Sequence, residues 1–116
     1  FYREIMKKII KKKITLINKL DKYIQNGYII CGVGAGAKSN TFLTFYGLDN
    51  NSIKFLTDSS KFKQNKYTPF TRIIIKDDKE IAKYKKIVCL ILSWNISDIV
   101  INKIKKINKN IKIIKT

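Results

Sequence analysis

Two continuous apolar runs, "YIICGV" at 28–33 and "KIVCLILS" at 86–93, constrain this chain more than any other feature. Neither alternates polar with apolar residues, so neither suits a sheet with one wet face; each reads as a strand covered on both sides. That cover requires helices, and the sequence supplies them. From Tyr2 to about Gln25, the residues Tyr2, Ile5, Met6, Ile9, Ile10, Leu16, Ile17, Leu20, Tyr23 and Ile24 recur mostly three or four apart among lysines, which predicts an amphipathic helix. Asn26 and Gly27 stop it, since glycine takes the left-handed conformation that releases the last carbonyls.

The alternation continues to the end of the chain. "KSNTFLTFYG" predicts a helix closed by Gly47, "SIKFLTD" a strand, and "SSKFKQNKYTPFT" a loop holding the single proline. "RIIIK" is a short strand, and "DDKEIAKY" a helix opened by acidic residues that suit its dipole. After the second apolar run come "SDIVINKIKKI", a helix capped by Asn95 or Ser97, and "IKIIK", a last strand. The class is therefore α/β and Rossmann-like: a mostly parallel sheet of about 4–5 strands flanked by helices and preceded by one long amphipathic helix. We expect residues 1–26 to form a connector helix packed on the domain, and 27–116 the Rossmann-like domain itself.

Composition narrows the function. Lys and Arg number 25 against 8 Asp and Glu, a net charge of +17 that by itself suggests nucleic acid or phosphorylated ligands. Yet arginine occurs only at Arg3 and Arg72, and the lysines are spread along the whole chain. Readers of nucleic acid favour arginine and gather their charge on one element, so the pattern argues for a solvated lysine coat and against nucleic acid. No apolar run approaches a membrane span, and Cys31 and Cys89 have neither metal-type nor redox spacing, so both read as core residues of a cytoplasmic protein. A first residue of phenylalanine leads us to expect a trimmed or excised piece.

The stretch "IICGVGAGAKSNTF" concentrates the chemistry. Small residues between a strand and a helix, followed by Lys38, let backbone amides approach a phosphate. A P-loop needs glycine where this chain has Ala37. A dinucleotide fingerprint fits better, with Gly32, Gly34 and Ala37 at the turn and Asp58 closing the next strand to meet a ribose. Against it stands the absence of any histidine and of anything resembling a hydride-transfer site.

Three motifs in order, "IICGVGAGAKSNTFLTFYGLD", "FLTDSSKFKQNKYTP" and "LILSWN", make nearly the whole chain resemble the C-terminal domain of S-adenosylmethionine-dependent sugar C-methyltransferases. That family runs a strand into G-Y-G-A-x-A-K-x-N-T, then an aspartate, a K-Q-G-x-Y-x-P loop and a W-N after a late strand. Val33 stands for the usual aromatic, Ser39, Asn65 and Phe70 for glycines. The resemblance implies a domain that helps enclose a nucleotide-linked keto sugar, with no catalytic residue of its own. S-adenosylmethionine, a zinc module and the catalytic base are expected in upstream domains of the same or a partner chain, and no cofactor or metal in this one. For the enclosing role we expect the residues at the carboxyl ends of the predicted strands, where ligands of parallel sheets sit, and the aromatics that could stack on a base or sugar to bind substrate: Gly32, Gly34, Ala35, Gly36, Lys38, Asp58, Tyr67, Trp94 and Asn95. Plainer roles remain open for several: Trp94 as a core plug, Tyr67 as a loop anchor, Asn95 as a helix cap and Asp58 as a cap on the following turn. The alternatives are a stand-alone Rossmann-like binding module or an NAD(P)-binding domain.

Overall fold

The computed structural model describes residues 1–92 and 97–115. Its elements run α1 (Tyr2–Gln25), β1 (Ile29–Val33), α2 (Ala37–Phe45), β2 (Phe55–Thr57), β3 (Ile75–Lys76), a 3₁₀ turn (Asp78–Lys83), β4 (Ile87–Ile91), α3 (Ser97–Ile107) and β5 (Lys112–Lys115). All five strands are parallel in the order β3-β2-β1-β4-β5, so the two apolar runs lie side by side at the centre, Cys31 opposite Cys89. This is the expected α/β fold with helices on both faces.

Each face has its own core. Under α1 and α2 pack Leu20, Ile30, Leu43, Leu56, Leu90 and Ile114. Under the 3₁₀ turn and α3 pack Val33, Phe55, Ile81, Ile91, Ile101 and Ile104. Successive side chains of a strand point to opposite faces, so one unbroken apolar run feeds both cores, and each fully buried Leu or Ile contributes about 1.5–3 kcal/mol. Cys31 and Cys89 sit in the second core as apolar residues, their sulfurs 3.5 Å apart. The hydrogen bond to Cys89, and then burial, push the Cys31 thiol well above its ordinary pKa, so it stays protonated.

Helix α1 has the bounds its periodicity predicts, and Gly27 ends it at φ 84° while the Tyr28 N–H donates to the Tyr23 carbonyl (3.0 Å). Its apolar stripe is used unevenly. Leu20 is buried and Leu16, Ile17 and Tyr23 lean on the core, whereas Tyr2, Ile5, Met6, Ile9 and Ile10 are exposed.

Two elements differ from expectation. The helix expected over "DDKEIAKY" is a six-residue 3₁₀ turn, capped by the Asp77 carboxylate accepting from the Lys79 N–H (3.0 Å). Tyr84 leaves the segment in extended conformation (φ −118°, ψ 134°), and the Asn108 amide, from beyond α3, donates to the carbonyls of Ile81 and Tyr84 (3.0 and 2.8 Å), satisfying acceptors left open at its end. The expected loop after β2 contains a hairpin. The Asn65 N–H donates to the Ile75 carbonyl (2.7 Å), Ile75 N–H to Lys66 (2.8 Å) and Thr68 N–H to Ile73 (2.9 Å), so 65–68 shields the outer edge of β3. Asn65, Phe70 and Arg72 hold left-handed backbone there, at φ 64°, 64° and 53°.

Candidate functional site

The carboxyl ends of β1 and β2 carry the candidate site. At the end of β1 the chain turns through Gly34 at φ 103°, a torsion glycine adopts without penalty, and the Gly34 N–H donates to the Thr57 carbonyl (2.8 Å). The next amide, Ala35 N–H, donates to Asp58 Oδ2 (3.2 Å), while Asp58 Oδ1 accepts from Ser60 N–H (2.8 Å). Asp58 thus ties the glycine turn to the turn that follows β2. Lys63 Nζ stands 3.8 Å from Oδ2 with its side chain half exposed, a contact worth little in solvent. Gln64 Nε2 braces the same turn by donating to the Asp58 carbonyl (2.9 Å) and to Asp77 Oδ2 (3.3 Å).

Beyond Ala35 the surroundings open. Gly36 is the N-cap of α2 at φ −80°, ψ 176°, makes no side-chain cap, and a Cβ placed on it would meet nothing within 4 Å. Lys38 is exposed on the first turn. A helix start whose N-cap brings no side chain, with a lysine on its first turn and open space at the N-cap Cβ position, suits an anionic group. Gly32 is a different kind of glycine. It is buried within β1, where a Cβ would come 2.4 Å from Leu56 Cδ2 and 2.8 Å from Leu92 Cδ1, so its small size serves the core.

On the α3 side of the same strand ends lies a cavity of about 170 Å³, lined by Val33, Gly34, Thr57, Asp58, Lys103 and Ile104 among others. Asp78 also borders it and holds Lys103 Nζ at 2.7 Å; this bond raises the lysine above its ordinary pKa. The Thr57 hydroxyl is buried without a hydrogen-bond partner among the described residues, a desolvation cost of about 1–3 kcal/mol.

The fold therefore gathers Gly34, Ala35, Gly36, Lys38 and Asp58 at one edge. Tyr67 is not among them. It pairs with Ile74 in the hairpin outside β3, ~14 Å from β1 at three strand spacings, and is exposed. Trp94 and Asn95 lie outside the described residues, as does the cap expected before α3. Sequence reasoning passed over Thr57, Gln64, Asp78 and Lys103. The "KQ" of the "KFKQN" stretch offered a signal for Gln64, but the Asp78–Lys103 pair joins elements that only the tertiary fold brings together. Among the described residues no three His, Cys, Asp or Glu side chains gather as a metal site requires, and no helix is long and apolar enough to cross a membrane.

Comparison with known proteins adds two findings. The family model described as the C-methyltransferase C-terminal domain matches residues 1–114. The C-methyltransferase NovU of Streptomyces niveus is 27% identical over 109 residues, which cover 94% of this chain and 26% of that protein. The chain thus spans about a quarter of that relative's length.

Proposed function

The chain belongs to the C-methyltransferase C-terminal domain family, and from that premise we propose that it holds the substrate of an S-adenosylmethionine-dependent sugar C-methyltransferase. The ligand is a nucleotide-linked keto sugar whose phosphates lie over Gly36 at the start of α2. The methyl donor, a zinc module and the base that deprotonates the sugar belong to portions of the protein outside this chain. This domain positions and does not transfer: it has no histidine to move a proton near neutrality, and its Cys31 thiol is buried and held protonated.

The observation that carries the reading is the first turn of α2, whose N-cap Gly36 brings no side chain and has open space at its Cβ position, placed by the Gly34 turn at the carboxyl edge of a parallel sheet, where ligands of such sheets sit. The dinucleotide alternative turns on Asp58: each of its oxygens accepts one backbone N–H and keeps a lone pair that a ribose hydroxyl could use.

Calorimetric titration with a nucleotide-linked sugar, NADH and S-adenosylmethionine, carried to millimolar ligand, tests the proposal. The sugar nucleotide binds, and Lys38→Ala weakens it by about 1–3 kcal/mol, a loss that shrinks at high salt because screening already removes part of the lysine's contribution. Tight NADH binding with an indifferent sugar nucleotide would reverse the assignment.

A further inference from the structure

Strand alternation turns Phe55 and Thr57 of β2 toward α3, and the register sets Thr57 beside Val33 at the carboxyl end of the sheet. Both line the cavity of about 170 Å³ there, which Val100 and Ile104 of α3 also line. Exposure grades along it. Thr57 is wholly buried and Ile104 nearly so, whereas the side chains of Asp78 and Lys103 are 13% and 55% exposed, so the ion pair stands at the mouth and the threonine at the base. The Thr57 hydroxyl is the one buried side-chain polar group without a hydrogen-bond partner among the described residues. Buried hydroxyls are paired as a rule, and this one opens into a cavity whose occupant can pair it.

We propose that this cavity takes the pyrimidine base of a nucleoside, edge first, with the Thr57 hydroxyl bonded to the carbonyl and N–H groups of that edge. Size selects one ring, since a cavity of about 150 Å³ holds a single benzene. The walls select its kind. Val33, Val100 and Ile104 suit the apolar faces of a flat heterocycle, whereas a sugar ring carries hydroxyls all round and would strand them against these side chains. Charge turns away the phosphate itself, because the lining holds two carboxylates, Asp58 and Asp78, against the one ammonium of Lys103. Gly34 lines the cavity and Gly36 stands two residues on, no more than about 7 Å along the chain, so one nucleotide can reach both. Its base enters the cavity, its ribose passes the spare lone pairs of Asp58, and its phosphate meets α2. The choice of a nucleoside rests on the phosphate placement proposed above, and the need for a polar-edged ring rests on the cavity alone.

The test is an NMR titration of the ¹⁵N-labelled chain with uridine, carried to millimolar ligand, beside adenosine, methyl α-glucoside and 3-methyluridine. Uridine shifts amides within 33–34, 57–59 and 100–104; adenosine and the glucoside leave them unmoved, and 3-methyluridine, whose edge N–H is blocked, binds about tenfold more weakly. Thr57→Val gives two effects of opposite sign. Exchanging an unpaired hydroxyl for a methyl group of the same shape raises the thermal midpoint of the free chain, while the lost hydrogen bond weakens uridine about tenfold. Unchanged uridine binding by Thr57→Val overturns the base site, as does a lowered midpoint, which would give the hydroxyl a partner within the protein. So do equal binding of 3-methyluridine, adenosine or the glucoside, and no uridine shift at all. Pyrophosphate, titrated separately, shifts amides within 36–40 where the phosphate placement holds. Uridine shifts without pyrophosphate shifts overturn that placement alone, and pyrophosphate shifts without uridine shifts overturn the base site alone.

Discussion

The glycine turn after β1 and the hairpin after β2 leave the same edge of the sheet, and both bend the backbone into the left-handed region, yet they fill those bends differently. The first uses Gly34 at φ 103°; the second uses Asn65, Phe70 and Arg72 at φ 53–64°. Asn65 and Phe70 stand where the resemblance expects glycine, so an unfavourable torsion is tolerated in the hairpin, where main-chain hydrogen bonds hold the segment on β3. Gly32 is constrained by space: a Cβ there would come 2.4 Å from Leu56 Cδ2 and 2.8 Å from Leu92 Cδ1, so both buried leucines would have to move. Torsion costs about 1–2 kcal/mol and is local; an added Cβ in a packed core costs about 1–3 kcal/mol and is spread over the neighbours that must shift.

The comparison breaks most easily at Gly32. Gly32→Ala forces Leu56 and Leu92 to move and lowers stability by about 1–3 kcal/mol in urea unfolding, and Gly32→Val by more; an unchanged midpoint would show that the core yields there. Asp58→Ala comes next. It strips the acceptor from the Ala35 and Ser60 amides and costs about 1–2 kcal/mol, with faster hydrogen exchange at those two positions, while Asp58→Asn keeps one oxygen and loses roughly half as much. Phe70→Gly runs the other way. The ring is 91% exposed, so relief of torsion dominates and thermal unfolding rises by an amount equal to about 0.5–1 kcal/mol; a loss of stability would mean the ring has a partner. Asn65→Gly is smallest, within about 0.5 kcal/mol, because asparagine already visits this conformation readily.

How much of this was legible in the sequence follows from what each signal depends on. Helix α1 was readable to the residue because periodicity and the Asn26-Gly27 stop are local. Which part of its stripe is covered was not, since that depends on where the sheet ends, and only Leu16, Ile17, Leu20 and Tyr23 reach it. The central strands were readable because they are apolar throughout; the hairpin was not, because lysines and Pro69 disguise a segment whose order comes from main-chain bonds to 73–75. At the site, the glycine pattern marked the turn correctly. It could not tell a glycine required by the core (Gly32) from one required by torsion (Gly34) or one that leaves open space (Gly36). Asp58 was legible as the residue that closes β2, and its engagement with two backbone amides emerged only with the fold.

The contact between Cys31 and Cys89 joins the two strands that must meet across 58 positions of sequence. β1 can gather β2 and β3, and β4 can gather β5, by shorter connections, so the β1–β4 seam is the slow, long-range closure that unites two half-sheets. Its two thiols are the only ones in the chain, and both are wholly buried. A thiol reagent therefore reacts only when that face of the sheet is uncovered, and its rate of uptake is a clock for the lifting of α3 and the 3₁₀ turn from the joined strands.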